Sequence, residues 1–168
     1  MRGLLLSAFV LAAFAAEAPV RVVGEFSNVR YTHEHEYGYS VQLWRRGDEL
    51  FGFLLSAAGL QGDTPMGVLE DVRFDPNTGK LQFRSKLTVG IIQRNGGNEP
   101  SRDLFEFNGV LRGSIITGVL RHKDNGIAAA TELVKLRKVR QDSLSQPLDF
   151  AAWQKDAAKL LSRRGPKW

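Results

Sequence analysis

His33 and His35 stand one residue apart in the stretch Tyr31 to Ser40, YTHEHEYGYS, and His122 is the only other histidine in the chain. In an extended segment this spacing puts two imidazoles on one face, roughly 6.5–7 Å apart. That suits two ligands of one metal ion, but a zinc site needs a third ligand and usually a fourth. His33, His35 and His122 are therefore the metal candidates, with Asp103 a conceivable addition. The competing reading is a charged, solvated hairpin whose histidines tune surface charge with pH. Glu34 and Glu36 repeat the spacing, yet nothing in the sequence singles out either for acid–base work, and on a loop both are expected to be solvated. There is no Gly-x-Ser-x-Gly elbow, no His-Glu-x-x-His and no phosphate loop. No catalytic residue is assigned, and no cofactor other than that metal. Arg46-Gly47-Asp48 is best explained by turn chemistry.

The elements that must position these groups begin after a leader. Arg2 precedes an apolar run, Leu4 to Ala16, and Ala-x-Ala patterns stand at Ala13-Phe14-Ala15 and Ala16-Glu17-Ala18. The run is too short for a membrane span, which needs ~20 residues, and reads as a secretory signal peptide over residues 1–18, cut near 15–18. Cutting after Ala15 removes one cation and takes the formal charge from +5 to +4. The expected location is periplasmic or secreted, from a bacterium. No further apolar span follows, so no transmembrane segment is expected. The chain has no cysteine, so its domain must be held by its core, which is feasible at this length. Hydrophobic residues make up 43%, enough to build one.

Residues 19–140 read as a β-domain of eight strands with period-two alternation: Val20–Tyr31, Tyr37–Trp44, Leu50–Ala57, Gly67–Phe74, Leu81–Val89, Asp103–Leu111, Ser114–His122 and Ala130–Val139. Short turns follow the second, fourth and sixth strands, at Arg46–Glu49, Asp75–Gly79 and Arg112-Gly113; longer loops follow the others. In an up-and-down meander alternate connections lie at opposite ends. All the tight turns then gather at one end and all the longer loops at the other. The predicted fold is all-β, an eight-stranded antiparallel up-and-down barrel, with the loop end as its mouth. Residues 141–168 hold one amphipathic helix, with Phe150, Trp153, Ala157, Leu160 and Leu161 at helical spacing, and a basic tail.

A secreted eight-stranded meander followed by a helix resembles the lipocalin and calycin group of ligand-binding barrels, over about residues 20–162. Gly24-Glu25-Phe26 stands where that group has Gly-x-Trp on its first strand, with Phe for Trp, and Arg137 or Arg140 matches the arginine near the end of its last strand. The resemblance implies a carrier of a small hydrophobic ligand.

Hairpin parity sets the inward face. A two-residue turn at Arg112-Gly113 pairs Leu111 with Ser114, Phe107 with Gly118, Phe105 with Leu120 and Asp103 with His122. Phe105 and Phe107 then point inward, and Gly118 makes room for the Phe107 ring. Pairing Phe74 with Leu81 and Val72 with Phe83 carries Val68 and Glu70 inward too. Glu70 would be a lone carboxylate that polarises a cavity or marks a bulge. The expected ligand wall is Phe83, Phe105, Phe107, Ile116, Leu120 and Glu70; the expected mouth is His33, His35, Asp63, Asp103 and His122. Asp63 belongs to the distinctive loop Gly59–Pro65, a lid or an Asx-turn connection.

Three functions follow from these readings. The first is a periplasmic or secreted binding protein holding a small apolar or amphipathic ligand in the barrel. The second is a cell-envelope interaction or structural protein using the barrel exterior, the helix and the basic C-terminal third, through envelope surface contacts. The third is a metal-dependent enzyme built on His33 and His35. No stacking platform for nucleic acid is evident.

Overall fold

The computed structural model describes residues 18–60, 64–94, 97–124, 127–139, 144 and 149–162. The leader up to residue 17, Asp63 and Arg140 lie outside them. The strands are β1 (Val20–Ser27), β2 (Arg30–Tyr31), β3 (His35–Arg46), β4 (Glu49–Leu60), β5 (Met66–Phe74), β6 (Lys80–Lys86), β7 (Ile91–Arg94), β8 (Gly97–Pro100), β9 (Leu104–Arg112), β10 (Ile115–Asp124) and β11 (Ile127–Lys138), followed by helix α1 (Phe150–Leu161).

Eight of these strands close a barrel in the order β1-β3-β4-β5-β6-β9-β10-β11 and back to β1, every pair antiparallel. The tight turns share one end, at Gly47-Asp48, Asp75–Gly79 and Gly113-Ser114, and the longer connections share the other. One of those, between β6 and β9, carries its own small hairpin, β7 with β8. The architecture is consistent with the calycin type.

Alternation builds the core. Leu81, Phe83, Ser85 and Leu87 point inward from β6 and the segment after it, while Gln82 is exposed. Leu81, Phe83 and Leu87 join Phe26, Val41, Leu43, Leu54, Phe105, Phe107, Ile116, Leu120, Val134 and Leu136 in one cluster inside the barrel. Each such side chain stabilises the fold by about 1.5–3 kcal/mol on burial. Gly109 and Gly118 face each other across β9 and β10. A methyl group on either would meet the Phe107 ring, at 2.5 and 2.7 Å, so the glycine pair makes the room that Phe107 was expected to need.

Several expectations are corrected. The first strand does not run unbroken to Tyr31. It stops at Ser27, where the Asn28 side chain takes over the ladder by accepting from the Tyr39 amide at 2.7 Å, and β2 pairs with the outer part of β3. The turn after β9 is Gly113-Ser114, not Arg112-Gly113, so Arg112 pairs with Ile115, Phe107 with Leu120 and Phe105 with His122. The shift is two residues, so every side chain keeps its face. In β5 the register breaks between Glu70 and Arg73, with Asp71 at φ +50°. This bulge turns Leu69 into the core and carries Val68 and Glu70 to the outer face, so neither points into the barrel as expected.

α1 covers that outer side. Asp149 caps it, accepting from the Ala151 amide at 2.8 Å. Phe150 meets Phe51 edge to face and Trp153 lies tilted against it, at 4.9 and 4.4 Å between ring centroids, and this cluster also takes in Trp44 and Phe53. The Arg46 guanidinium lies 3.6 Å over the Phe150 ring. The second apolar face of β3 and β4 is thus the one beneath the helix. Among the described residues no helix is long and apolar enough to cross a membrane.

Candidate functional site

The expected ligand wall is the barrel's core. Phe83, Phe105, Phe107, Ile116 and Leu120 are 0 to 4% exposed, and Phe83 and Phe107 stack at 4.8 Å. Side chains bordering a ligand-sized void would show surface to it; these five do not. The middle of the barrel is filled by protein, as an eight-stranded barrel permits.

The loop end is different. β3 and β4 pair along their whole lengths, whereas β4 pairs with β5 only at Phe53, Leu54 and Leu55. The stretches His35–Tyr39 and Ser56–Leu60 therefore run past the pairing with β5 as a flap, with β2 along its β3 edge. His35, Tyr37 and Tyr39 share one face of it by strand alternation. His35 stacks on Tyr37 with centroids 6.1 Å apart. Tyr39 meets Phe105 edge to face at 5.8 Å, and Phe105 stacks on His122 at 4.5 Å. Two groups of rings thus gather at this end: His35 with Tyr37 on the exposed flap, and Tyr39, Phe105 and His122 at the lip of the core. Tyr37 is 51% exposed and Tyr31 68%. With Ile91 they make three of the four exposed large hydrophobics among the described residues, and all three belong to loop-end segments.

Polar groups flank these rings. The His122 Nε2 lies 3.6 Å from the Asp103 carboxylate, so the expected Asp103–His122 pair forms, although the two are not register partners. Asp103 is buried. Tyr39 is pushed up to about 12, first by its burial, then by the charge of Glu132 and the hydrogen bond it gives that carboxylate, and last by the charge of Asp103. Tyr39 and Glu132 were absent from the sequence-derived mouth. Parity alone would have found them: Tyr39 precedes the inward Val41 by two, and Glu132 precedes Val134.

The remaining mouth residues do not converge. His33 is exposed at the β2–β3 turn. Among the described residues no three histidine, aspartate or glutamate side chains gather as metal ligands would. The ring of His35 stacks on Tyr37 and that of His122 on Phe105, and among the described residues His33, His35 and His122 are not gathered as a group of three ligands. Glu36 is not solvated as expected. It is buried and accepts the Thr64 hydroxyl.

Glu70 now lies in a groove of about 370 Å³ between β5 and α1, with Val68, Trp153, Ala157 and Leu161 among its walls. Of the positions matched to the calycin signature, Phe26 is fully buried in the core. Arg137 is exposed opposite Ser27. It is Lys138 that crosses to β1, where its Nζ donates to the Val23 carbonyl at 2.6 Å.

No family model, no curated protein and no solved structure matches the chain.

Proposed function

We propose that this chain is an exported binding module that takes a small amphipathic ligand at the loop end of its barrel, above the core rather than within it. The observation that carries this reading is the gathering of rings at the loop end, His35 with Tyr37 and Tyr39 with Phe105 and His122, exposed at its outer end and flanked by Asp103 and Glu132. Aromatic faces supply apolar contact at little entropic cost, and the carboxylates give a polar head its orientation. The filled interior argues against a ligand buried along Phe83 and Phe107. Export rests on Arg2 and the apolar run Leu4–Ala16; N-terminal sequencing of protein recovered outside the bacterial cytoplasm, starting near residue 16, tests it.

The ligand reading is tested with the neutral fluorophore N-phenylnaphthylamine and by native mass spectrometry of gently extracted protein. Tyr37 is exposed, so Tyr37→Ala leaves the fold in place. The expected result is saturable fluorescence enhancement by the native chain and its loss in Tyr37→Ala. Equal enhancement by both, or none by either, would overturn the reading.

The exterior reading also has support. The face beneath α1 is aromatic, and the groove beside it is open. An envelope partner held there would be lost on removal of residues 147–168 and retained by Tyr37→Ala.

A further inference from the structure

α1 packs over the β3–β5 side of the barrel and leaves the outer face of β6, β9, β10 and β11 open. Register lays that face out in rows across the four strands. They are Arg84–Glu106–Arg121–Thr131, Gln82–Asn108–Val119–Leu133 and Lys80–Val110–Thr117–Lys135, with Arg137 next along β11. At ~4.8 Å between strands each row is roughly 14 Å long.

Charge on this face is one-sided. Its carboxylate, Glu106, is engaged by Lys123 at 3.0 Å, and Asp71 of the neighbouring β5 by Arg84 at 3.2 Å. Lys80, Arg121, Lys135 and Arg137 are all exposed. Among the described residues none of these four forms an ion pair. Cations gathered without counter-charge repel one another and draw an anionic partner.

Leu133 stands among them. It is 84% exposed, more than any other large hydrophobic of the described residues, and it is the one of the four that lies away from the loop end. Its cross-strand neighbour is the half-buried Val119. On the other side β1 reaches β11 only at Arg137 and Lys138, so no strand flanks Leu133 there. Strand geometry puts Lys135, two residues on, and Arg121, diagonally across the ladder, each roughly 7 Å away. A lone exposed leucine is ordinary; this one projects between cations that lack partners.

A soluble polyanion would satisfy the charges and leave Leu133 in water. A bilayer of anionic phospholipid satisfies both, because its phosphates lie at the surface and its acyl boundary lies ~5–10 Å beneath. We propose that this face docks peripherally on an anionic phospholipid bilayer, with Lys80, Arg121, Lys135 and Arg137 against lipid phosphates and Leu133 inserted at the acyl boundary. The surface is separate from the loop-end rings and from the groove beside α1.

The chain has no cysteine, so Leu133→Cys and Ala152→Cys each carry a single nitrobenzoxadiazole label. One reports this face, the other the exposed side of α1. The full-length chain is mixed with phosphatidylcholine vesicles, with and without phosphatidylglycerol. The leader is common to every variant, so the response to phosphatidylglycerol and to these residues is what counts. The label at 133 is expected to brighten when phosphatidylglycerol is present and the label at 152 to stay dim. Co-sedimentation of the unlabelled chain should need phosphatidylglycerol and fall as salt rises. Arg121→Gln and Lys135→Gln should each weaken it about fivefold, and Leu133→Ser about tenfold. All three residues are exposed, so the unfolding midpoints should match that of the native chain. The proposal is overturned if phosphatidylglycerol makes no difference, if both labels brighten alike, if Leu133→Ser and Lys135→Gln sediment like the native chain, or if Tyr37→Ala releases the chain while Leu133→Ser does not.

Discussion

Phe105 and His122 are direct cross-strand partners on β9 and β10, and their rings lie 4.5 Å apart and only 7° from parallel. The imidazole is the last of the three rings Tyr39, Phe105 and His122, and it places its Nε2 toward Asp103. Phe105 is fully buried, so Phe105→Ala should cost about 3–5 kcal/mol. His122→Phe keeps a flat ring in the stack and should cost less than about 1.5 kcal/mol. Urea unfolding followed by far-UV circular dichroism measures both. A cost for His122→Phe as large as that for Phe105→Ala would mean that the nearness of Asp103 to the imidazole, not the stack, holds the strand end.

Tyr39 gives the loop end a signature at high pH. Its folded value of about 12 lies above the ordinary 10, so the unfolded chain releases this proton first. The associated stability is fully present below pH 10 and is lost as pH rises toward 12. In a Tyr31→Phe, Tyr37→Phe background Tyr39 is the sole tyrosine, and its phenolate absorbance reports it alone. Glu132→Gln should bring the midpoint down but not to 10, since burial is the first cause. An unchanged midpoint would remove Glu132 from the account.

The facing glycines limit what β9 and β10 tolerate. Gly118→Ala puts a methyl group against the Asn108 carbonyl and the Gly109 Cα as well as the Phe107 ring and should destabilise by about 3 kcal/mol. Phe107→Leu also destabilises, but the double variant should lose somewhat less than the sum, because the smaller side chain relieves the ring contact and leaves only the backbone ones. Strict additivity in that cycle would show that the two do not compete.

The helix cap can be separated from helix packing. Asp149→Ala removes the acceptor for the Ala151 amide and should cost about 1 kcal/mol. Trp153→Ala removes a ring packed on Phe51 and should cost about 3 kcal/mol. Hydrogen exchange should show faster opening of α1 amides in both, with the β6 and β9 amides little changed in Asp149→Ala.

Much of this architecture was legible in the sequence because its cues are local. The lengths of the connections assigned the two barrel ends. The alternation of Leu81, Phe83 and Ser85 assigned a buried face. The misplaced turn at Arg112-Gly113 did no harm, since an error of two residues leaves the faces intact. The bulge was different. Val68-Leu69-Glu70-Asp71-Val72 carries apolar residues at both parities, and Asp71 reaches positive φ without a glycine to announce it. One extra residue there exchanged the destinations of Leu69 and Glu70. The gathering of the longer loops at one end was legible, but the ring contacts there were not, because Tyr39, Phe105 and His122 come from different strands. The third histidine was illegible on the same ground: a His-x-His spacing sets two side chains on a face but says nothing about where His122, two strands away, will lie.

Lys138 reaches across 115 residues of chain to Val23, where β1 and β11 meet through only two register pairs, Phe26 with Lys138 and Ser27 with Arg137, plus the Val139 amide on Glu25. Every other junction of the barrel joins strands that follow one another around the meander. Seven of its eight junctions can therefore assemble by short chain closures, and only this one needs the two ends of the β-domain to find each other. It is the clasp of a bracelet. While it is undone the molecule is an open ribbon with two bare strand edges, each able to pair with another copy. A long amine at position 138 and a narrow seam decide whether these residues make a closed monomer or a sticky sheet.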